Sequence, residues 1–455
     1  MMRSDASAPE TSPRFTNRQL VSLIAPLFAE QLLSITVGLA DSLMVATVGD
    51  AAISGVSLVD AISNLMLYLF AAMATGGAAV AGQYIGRRET ESACSAAQHL
   101  ILLLAVVSVS FSALLYVFQH FVLTTIFGRI EPDVMAATQK YYGIVMASIP
   151  GIALYNGGAA IFRMMGRSDV TLKVSLLMNS INVAGNALLI FGLHMDVAGV
   201  AIPTLVSRTV AAAVILALLA NRRLPLHLGA LSDFRPDRRL FRNILYIGIP
   251  SGVENGMFHL GRLILFSLIS TFGTASIVAN AIGNTLGNFH CAPGSAVSLG
   301  ITTVVSQCVG AGDFDAARYY MRKLTKVSYA LLAALNLAIT AAMPLIMRIY
   351  DVSPEASRLA LTVSLLHSAA AVALWTPAFV LPSFLRAAGD ARFTMLVSMV
   401  SMWLLRVGCA YVFEWRFGLG VLGVWLAHAV LDWSVRALVF YARYRGGRWM
   451  TKAIR

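Results

Sequence analysis

Two carboxylates sit inside the first long apolar stretch of the sequence, residues 20–48 (LVSLIAPLFAEQLLSITVGLADSLMVATV): Glu30 and Asp41. They are eleven residues apart, so on an α-helix they lie within about 20° of one face. An acid inside a helix apolar enough for a bilayer is costly and is a functional candidate by default. Pro26, ahead of both, removes a backbone hydrogen bond and predicts a helix bend. A second polar stripe offers Asp41 a partner face. Asn179, Asn182 and Asn186 fall at i, i+3 and i+7 on one helix side. Such a stripe either joins the acid in a site or holds helices together by hydrogen bonds.

A third constellation follows Pro250. Glu254, Asn255, His259 and Arg262 form a polar stripe in which Asn255 and His259, and His259 and Arg262, are helical neighbours. Histidine titrates near neutrality and suits a proton relay. The alternative is a structural Glu254–Arg262 pair that neutralises both charges in the membrane. Glu30 and Glu254, each one turn after a proline, are expected at the mouth of a cleft. His290, just before Pro293, either faces the same cleft or bonds a neighbouring helix. Asp432 and Arg436, four residues apart, predict an ion pair near the inner membrane face. Tyr68, Met257, Phe258 and Phe289 are apolar and aromatic cleft candidates, suited to varied organic ligands. No GxxxxGK[ST], HExxH, GxSxG or CxxC motif occurs, so neither ATP-driven transport nor a familiar catalytic centre is indicated.

The elements carrying these residues are membrane helices. Of 455 residues 58% are hydrophobic and only 12% charged, and the mean hydropathy is +0.74, which excludes an ordinary soluble domain. Twelve apolar spans are expected: 20–48, 53–81, 94–122, 136–162, 170–193, 196–220, 243–270, 276–308, 318–349, 359–385, 393–413 and 419–442. With the N-terminus inside, the inner segments hold 26 of the 34 Lys and Arg and the outer ones 5. The other three (Arg208, Arg262, Arg406) lie within spans. That asymmetry places both termini in the cytoplasm and assigns the +12 charge to inner loops rather than to nucleic acid. The four cysteines are scattered and read as small core residues. The expected organisation is a disordered tail (1–18), an N-lobe (19–220), a linker (221–242), a C-lobe (243–442) and a short C-terminal tail (443–455).

The two lobes are an internal duplication. A shift of 224 residues carries Pro26 and Glu30 onto Pro250 and Glu254, Gly49 onto Gly273, and Gln83-x2-Gly86 onto Gln307-x2-Gly310. A shift of 223 carries Arg163-x2-Gly166 onto Arg386-x2-Gly389. Six spans per half make the repeats parallel, related by an axis along the membrane normal, as in transporters whose site lies between the halves.

These landmarks resemble the multidrug and toxic compound extrusion (MATE) family of secondary antiporters. The resemblance rests on Pro26 and Asp41, GQYIGRRE, FRMMGRSD, GIPSGVENGMF, SQCVGAGDFDAAR and FLRAAGDARF, in this order, over residues 18–445. It implies an all-α protein of twelve transmembrane helices in two six-helix lobes around a central cleft. It implies export of bulky, often cationic organic compounds from the cell, driven by inward proton or sodium flow, with no cofactor. It also implies a coupling site at Asp41 with Asn182, Asn186, Asn179 and Thr204. Family members with this N-lobe site often have Asp at the position of Asn186, so one carboxylate is missing here. Amide and hydroxyl oxygens still suit sodium, and proton coupling through Asp41 is equally consistent. The second acid of a C-lobe site is also missing: span ten offers only His367. The expected partners are small organic substrates and membrane lipid, with the chain a monomer. Two other readings compete: a lipid-linked precursor flippase of the same architecture, which would want a strongly cationic cleft, and a non-transporting receptor or scaffold.

Overall fold

The computed structural model describes residues 15–126, 130–229 and 234–453. The expected disordered tail lies mainly outside these residues, as do Arg129 and part of the expected linker. The described chain is built on twelve long helices, without a strand among the described residues. The first six are α1 Asn17–Ala46, α2 Asp50–Gly86, α3 Thr90–Val117, α4 Pro132–Met164, α5 Ser168–Gly192 and α6 Ala198–Leu219. The second six are α7 Arg238–Ser270, α8 Thr274–Gly310, α9 Phe314–Tyr350, α10 Pro354–Ala387, α11 Ala391–Phe417 and α12 Gly420–Arg445. Ten of them are long and apolar enough to cross a membrane by themselves. The other two, α7 and α8, are equally long but more polar, because they carry Glu254, His259 and Arg262, and a row of asparagines.

Local chemistry sets the ends. Thr16 and Gln19 form a reciprocal capping box at the start of α1. Gly166 and Gly389 close α4 and α10 at φ 75° and 96°, where a side chain would be strained. Both donate their N–H to an arginine carbonyl three residues back, Arg163 or Arg386, at 2.9 Å. Four helices wind locally with π geometry: α5 at Leu188–Gly192, α10 at Thr376–Val380, α11 at Ser401–Gly408 and α12 at Ala427–Asp432.

The N-lobe core gathers Phe70, Tyr142, Phe162 and Ile215 from α2, α4 and α6. The C-lobe core is divided into smaller clusters, around Met402 and Trp425, around Cys291 and Trp433, and around Ile282 and Met343. The opening helix of each lobe begins in the other lobe. Leu20, Leu23, Ile24 and Leu27 of α1 pack with Val305, Phe384 and Phe440 of the C-lobe. Leu240, Ile244 and Ile247 of α7 pack in the N-lobe core.

The lobes are locked together at the end that carries α1's N-terminus. There α2 and α8 cross at Gly86 and Gly310, where an added Cβ would collide with the backbone of Gln307 or Gln83. Gln83 donates to the Ala387 carbonyl at 2.9 Å, and Gln307 donates to the Met164 carbonyl at 2.8 Å. Each glutamine thus reaches across to satisfy a last-turn carbonyl that the helix leaves unpaired.

Candidate functional site

The N-lobe site is assembled by α1, α5 and α6. A Cβ added at Gly185 of α5 would lie 2.8 Å from Pro203 of α6, so the two helices approach closely there. That contact sets Asn182 beside Thr204. Asn186 donates to Asp41 Oδ1 at 2.8 Å. With its amide nitrogen toward α1, Asn182 donates to Asp41 Oδ1 and Oδ2 at 2.9 and 3.0 Å, and its carbonyl accepts from Thr204 Oγ1 at 3.2 Å. Turned over, Asn182 donates to Thr204 at 3.2 Å and presents its carbonyl to Asp41. The second arrangement is satisfied only when Asp41 carries a proton to donate, so the one amide serves both protonation states. Asn186 Oδ1 is buried without a partner. Asn179 is one turn away and donates instead to Ser175 of its own helix at 3.2 Å.

Behind Asp41 lies a group that spacing alone did not connect. Tyr141 donates to Asp60 at 3.1 Å, and Arg208 donates to Ser148 at 2.8 Å and Ser63 at 3.4 Å. Asp60 and Arg208 both lie within electrostatic range of Asp41.

The two repeated glutamates do not line a cleft mouth. Glu30 is buried among N-lobe helices and accepts from Tyr155 at 3.2 Å and Thr171 at 3.0 Å. Glu254 is buried in the C-lobe. It accepts from Ser398 at 2.6 Å and from Arg386 at 3.1 and 3.3 Å, with Arg436 at 3.7 Å. The Glu254–Arg262 pair does not form: eight residues along a helix is about 12 Å, and the partners of Glu254 come from α10 and α12 instead. Nor does Asp432 pair with Arg436. Their side chains take other partners: Asp432 accepts from Ser401 of α11, and Arg436 lies 3.7 Å from Glu254. Arg436, counted from sequence among the inner-end charges, is 1% exposed and deep in the lobe. The polar stripe on α7 therefore divides. Asn255 bonds its own backbone at Ser251, His259 stacks on Tyr68 with ring centroids 4.3 Å apart, and Arg262 donates to Asn284 at 3.2 Å.

Above the Tyr68–His259 stack a cavity of about 400 Å³ opens between α2 and the C-lobe helices α7, α8, α11 and α12. Tyr68, His259 and Arg262 line it, with Arg406 and His428 from the two π-wound segments. Asn280, Asn284 and Asn288 line it from one face of α8. Those asparagines recur at i, i+4 and i+8, a legible stripe, whereas Arg406 and His428 lie where helical spacing fails. Met257 and Phe289 are half-buried away from this lining. Phe258 lies in the lobe wall, its ring 4.8 Å from the Arg436 guanidinium and 5.9 Å from that of Arg406. His290 does not face the cleft: its Nδ1 is 3.1 Å from His367 Nδ1 inside the C-lobe. α1 runs unbroken through Pro26. Among the described residues no cluster of His, Cys, Asp and Glu could hold a metal ion.

The family model MatE matches residues 26–188 and again 250–412, two stretches whose beginnings and ends are both 224 residues apart (250 − 26, 412 − 188). The chain belongs to the MatE family. Similar to this MATE chain are the "Uncharacterized transporter YisQ" of Bacillus subtilis (strain 168), 29% identical over 96% of this chain and 95% of the relative, and the "Probable multidrug resistance protein NorM" of Thermotoga maritima, 23% identical over 96% and 94%. A solved structure described as the outward-facing conformation of a multidrug resistance MATE family transporter superposes with a TM-score of 0.86, at 20% identity, over 95% of this chain and 96% of that one. The MATE fold of twelve helices in two lobes is thereby established for this chain, and membership places it among multi-pass membrane transporters.

Proposed function

We propose that this MATE protein is a monomeric plasma-membrane antiporter, with both termini cytoplasmic, that exports bulky organic compounds against inward flow of a cation. The observation that carries this reading is Asp41, an ionisable group within a membrane helix, bonded by Asn186 and Asn182 with Thr204 behind them. Proton coupling is supported by the Asn182 amide, which satisfies Asp41 charged or neutral. A sodium ion is the second reading, favoured by the unpartnered Asn186 Oδ1 as a further oxygen ligand. Ion and substrate then drive opposite transitions by favouring different states of the lobes 19–220 and 243–442. The relatives' names point to drugs, and the resemblance implies cationic compounds among them. The flippase reading wants a strongly cationic cleft, and the C-lobe cavity offers two arginines and two histidines beside apolar walls; the scaffold reading has no observation behind it.

The decisive measurement is dye efflux from proteoliposomes with a pH gradient or a sodium gradient imposed separately. Asp41→Asn is expected to abolish the gradient-driven part while the protein still folds and binds dye. Undiminished, gradient-dependent efflux by Asp41→Asn would remove Asp41 from the mechanism. The gradient that drives the wild type identifies the ion.

A further inference from the structure

The C-lobe cavity is lined by cationic groups without an acid. Its lining contains the guanidiniums of Arg262 and Arg406 and the imidazoles of His259 and His428, and not one carboxylate. Arg406 is 7% exposed, makes no hydrogen bond or ion pair among the described residues, and its buried Nε has no partner. Its other close neighbour is the Phe258 ring, at 5.9 Å. Among the described residues, Arg262 bonds only the neutral Asn284 oxygen.

The carboxylates nearby are already shared. Among the described residues, the acids that act on Arg386, Arg406 and Arg436 are Glu254 and Asp432, and the nearby Asp390 is held by Arg443. Glu254 is held by Arg386, Arg436 and Ser398. Asp432 is bonded by Ser401 and acts electrostatically on both Arg406 and Arg436. The surplus positive charge thus falls on Arg262 and Arg406, the two arginines that open onto the cavity. An arginine buried without a hydrogen-bonded anion is costly, and its planar fork matches a carboxylate, sulfonate or phosphate. Asn280, Asn284 and Asn288 add neutral polar groups along one wall, while Tyr68, Leu263, Phe266 and Trp425 supply apolar surface. A concave space in which charged and polar groups converge beside apolar walls can orient a small molecule that carries both kinds of surface.

Building on the transport reading above, we infer that this cavity binds the acidic group of the exported compound. The substrate is an organic anion or zwitterion whose acid engages Arg406 and Arg262 and whose apolar body lies against Tyr68 and Trp425. The organic cations implied by the family resemblance would meet like charge here.

Three ligands that share one body test the assignment: 1-pyrenebutyrate, 1-pyrenebutanol and 1-pyrenebutylamine. Binding to purified protein in nanodiscs of neutral lipid is read by energy transfer from tryptophan to pyrene. The anion is expected to bind at least tenfold more tightly than the alcohol and the amine. Arg262→Gln and Arg406→Gln should each erase most of that preference, and Arg406→Lys should retain part of it. Arg262 is exposed, so Arg262→Gln carries the test if Arg406→Gln does not fold. Equal binding of the three ligands to the wild type, or an anion preference untouched in Arg262→Gln, overturns the inference. So does loss of pyrenebutyrate binding when phosphatidylglycerol replaces part of the neutral lipid, which would assign the site to a lipid headgroup. Flux is scored separately in proteoliposomes. An anion preference without gradient-driven movement of pyrenebutyrate refutes transport and leaves the anion site standing; gradient-driven flux without the preference does the reverse.

Discussion

Glu30 and Glu254 occupy equivalent positions, yet their surroundings give them different weights. Glu30 is held by two neutral hydroxyls, Tyr155 and Thr171, whereas Glu254 neutralises the charge of Arg386 and Arg436. Replacing Glu254 by Gln removes the acid shared by the buried Arg436 and the half-buried Arg386, and is expected to cost about 3–5 kcal/mol. Glu30→Gln keeps the shape and loses only charge-assisted bonds, about 1–3 kcal/mol. Thermal unfolding in one detergent ranks the two variants; a larger loss for Glu30→Gln would contradict this assignment. The Asp41 neighbours were legible from spacing because α5 is a regular helix from Ser168 to Ala187, so Asn182 and Asn186 share a face as counted. Arg406 was not. It sits within eight residues of π winding, where a count of 3.6 per turn no longer tells which way a side chain faces.

Among the elements, α2 and α8 form the close crossing that joins the lobes at one end, and they are expected to govern its opening. The recurrence of Gln-x2-Gly near the ends of both helices is plain in the sequence, and so is its period. What the glutamines bond is not, because their partners are carbonyls at the ends of helices in the other half, Ala387 and Met164. A carbonyl leaves no mark in a sequence. Gly86→Val and Gly310→Val would push the crossing helices apart where backbone meets backbone. Each variant is expected to fold, to bind ligand, and to transport at less than about a tenth of the wild-type rate, since 1.4 kcal/mol lost from the closed state already shifts its population tenfold. Spin labels on α2 and α8 near this crossing should report a longer distance in both variants. An unchanged distance with normal flux would mean that the crossing does not control opening. Replacing Gln83 and Gln307 together by Leu should widen the same distance more mildly, by removing two bonds worth about 1 kcal/mol each.

At the scale of the whole molecule, the duplication, the helix count and the polytopic class all followed from composition and period. The exchange of the first turns of α1 and α7 between lobes did not, since Leu20 to Leu27 is equally apolar whichever lobe it packs in. The proposed inner location of both termini, which rests on charge alone, has its own check. A single cysteine placed at Asn17 or Lys452, in a chain whose four native cysteines are replaced, should react with a membrane-impermeant maleimide only after the cells are opened. Labelling of intact cells would invert the topology.

The exchange of these first turns also fixes where the molecule can flex. α1 belongs to the C-lobe up to Leu27 and to the N-lobe from Glu30 onward. α7 belongs to the N-lobe up to Ile247 and to the C-lobe from Glu254 onward. A rod clamped into two bodies that turn against each other must yield in the short length between its clamps. Pro250 falls within this length of α7, and Pro26 stands one residue before it in α1; at each proline the helix already lacks one backbone bond. For lobes that turn against each other, as the proposed antiport requires, each opening helix is expected to yield at or beside its own proline, where the torsion applied by the opposite lobe meets the fewest backbone bonds.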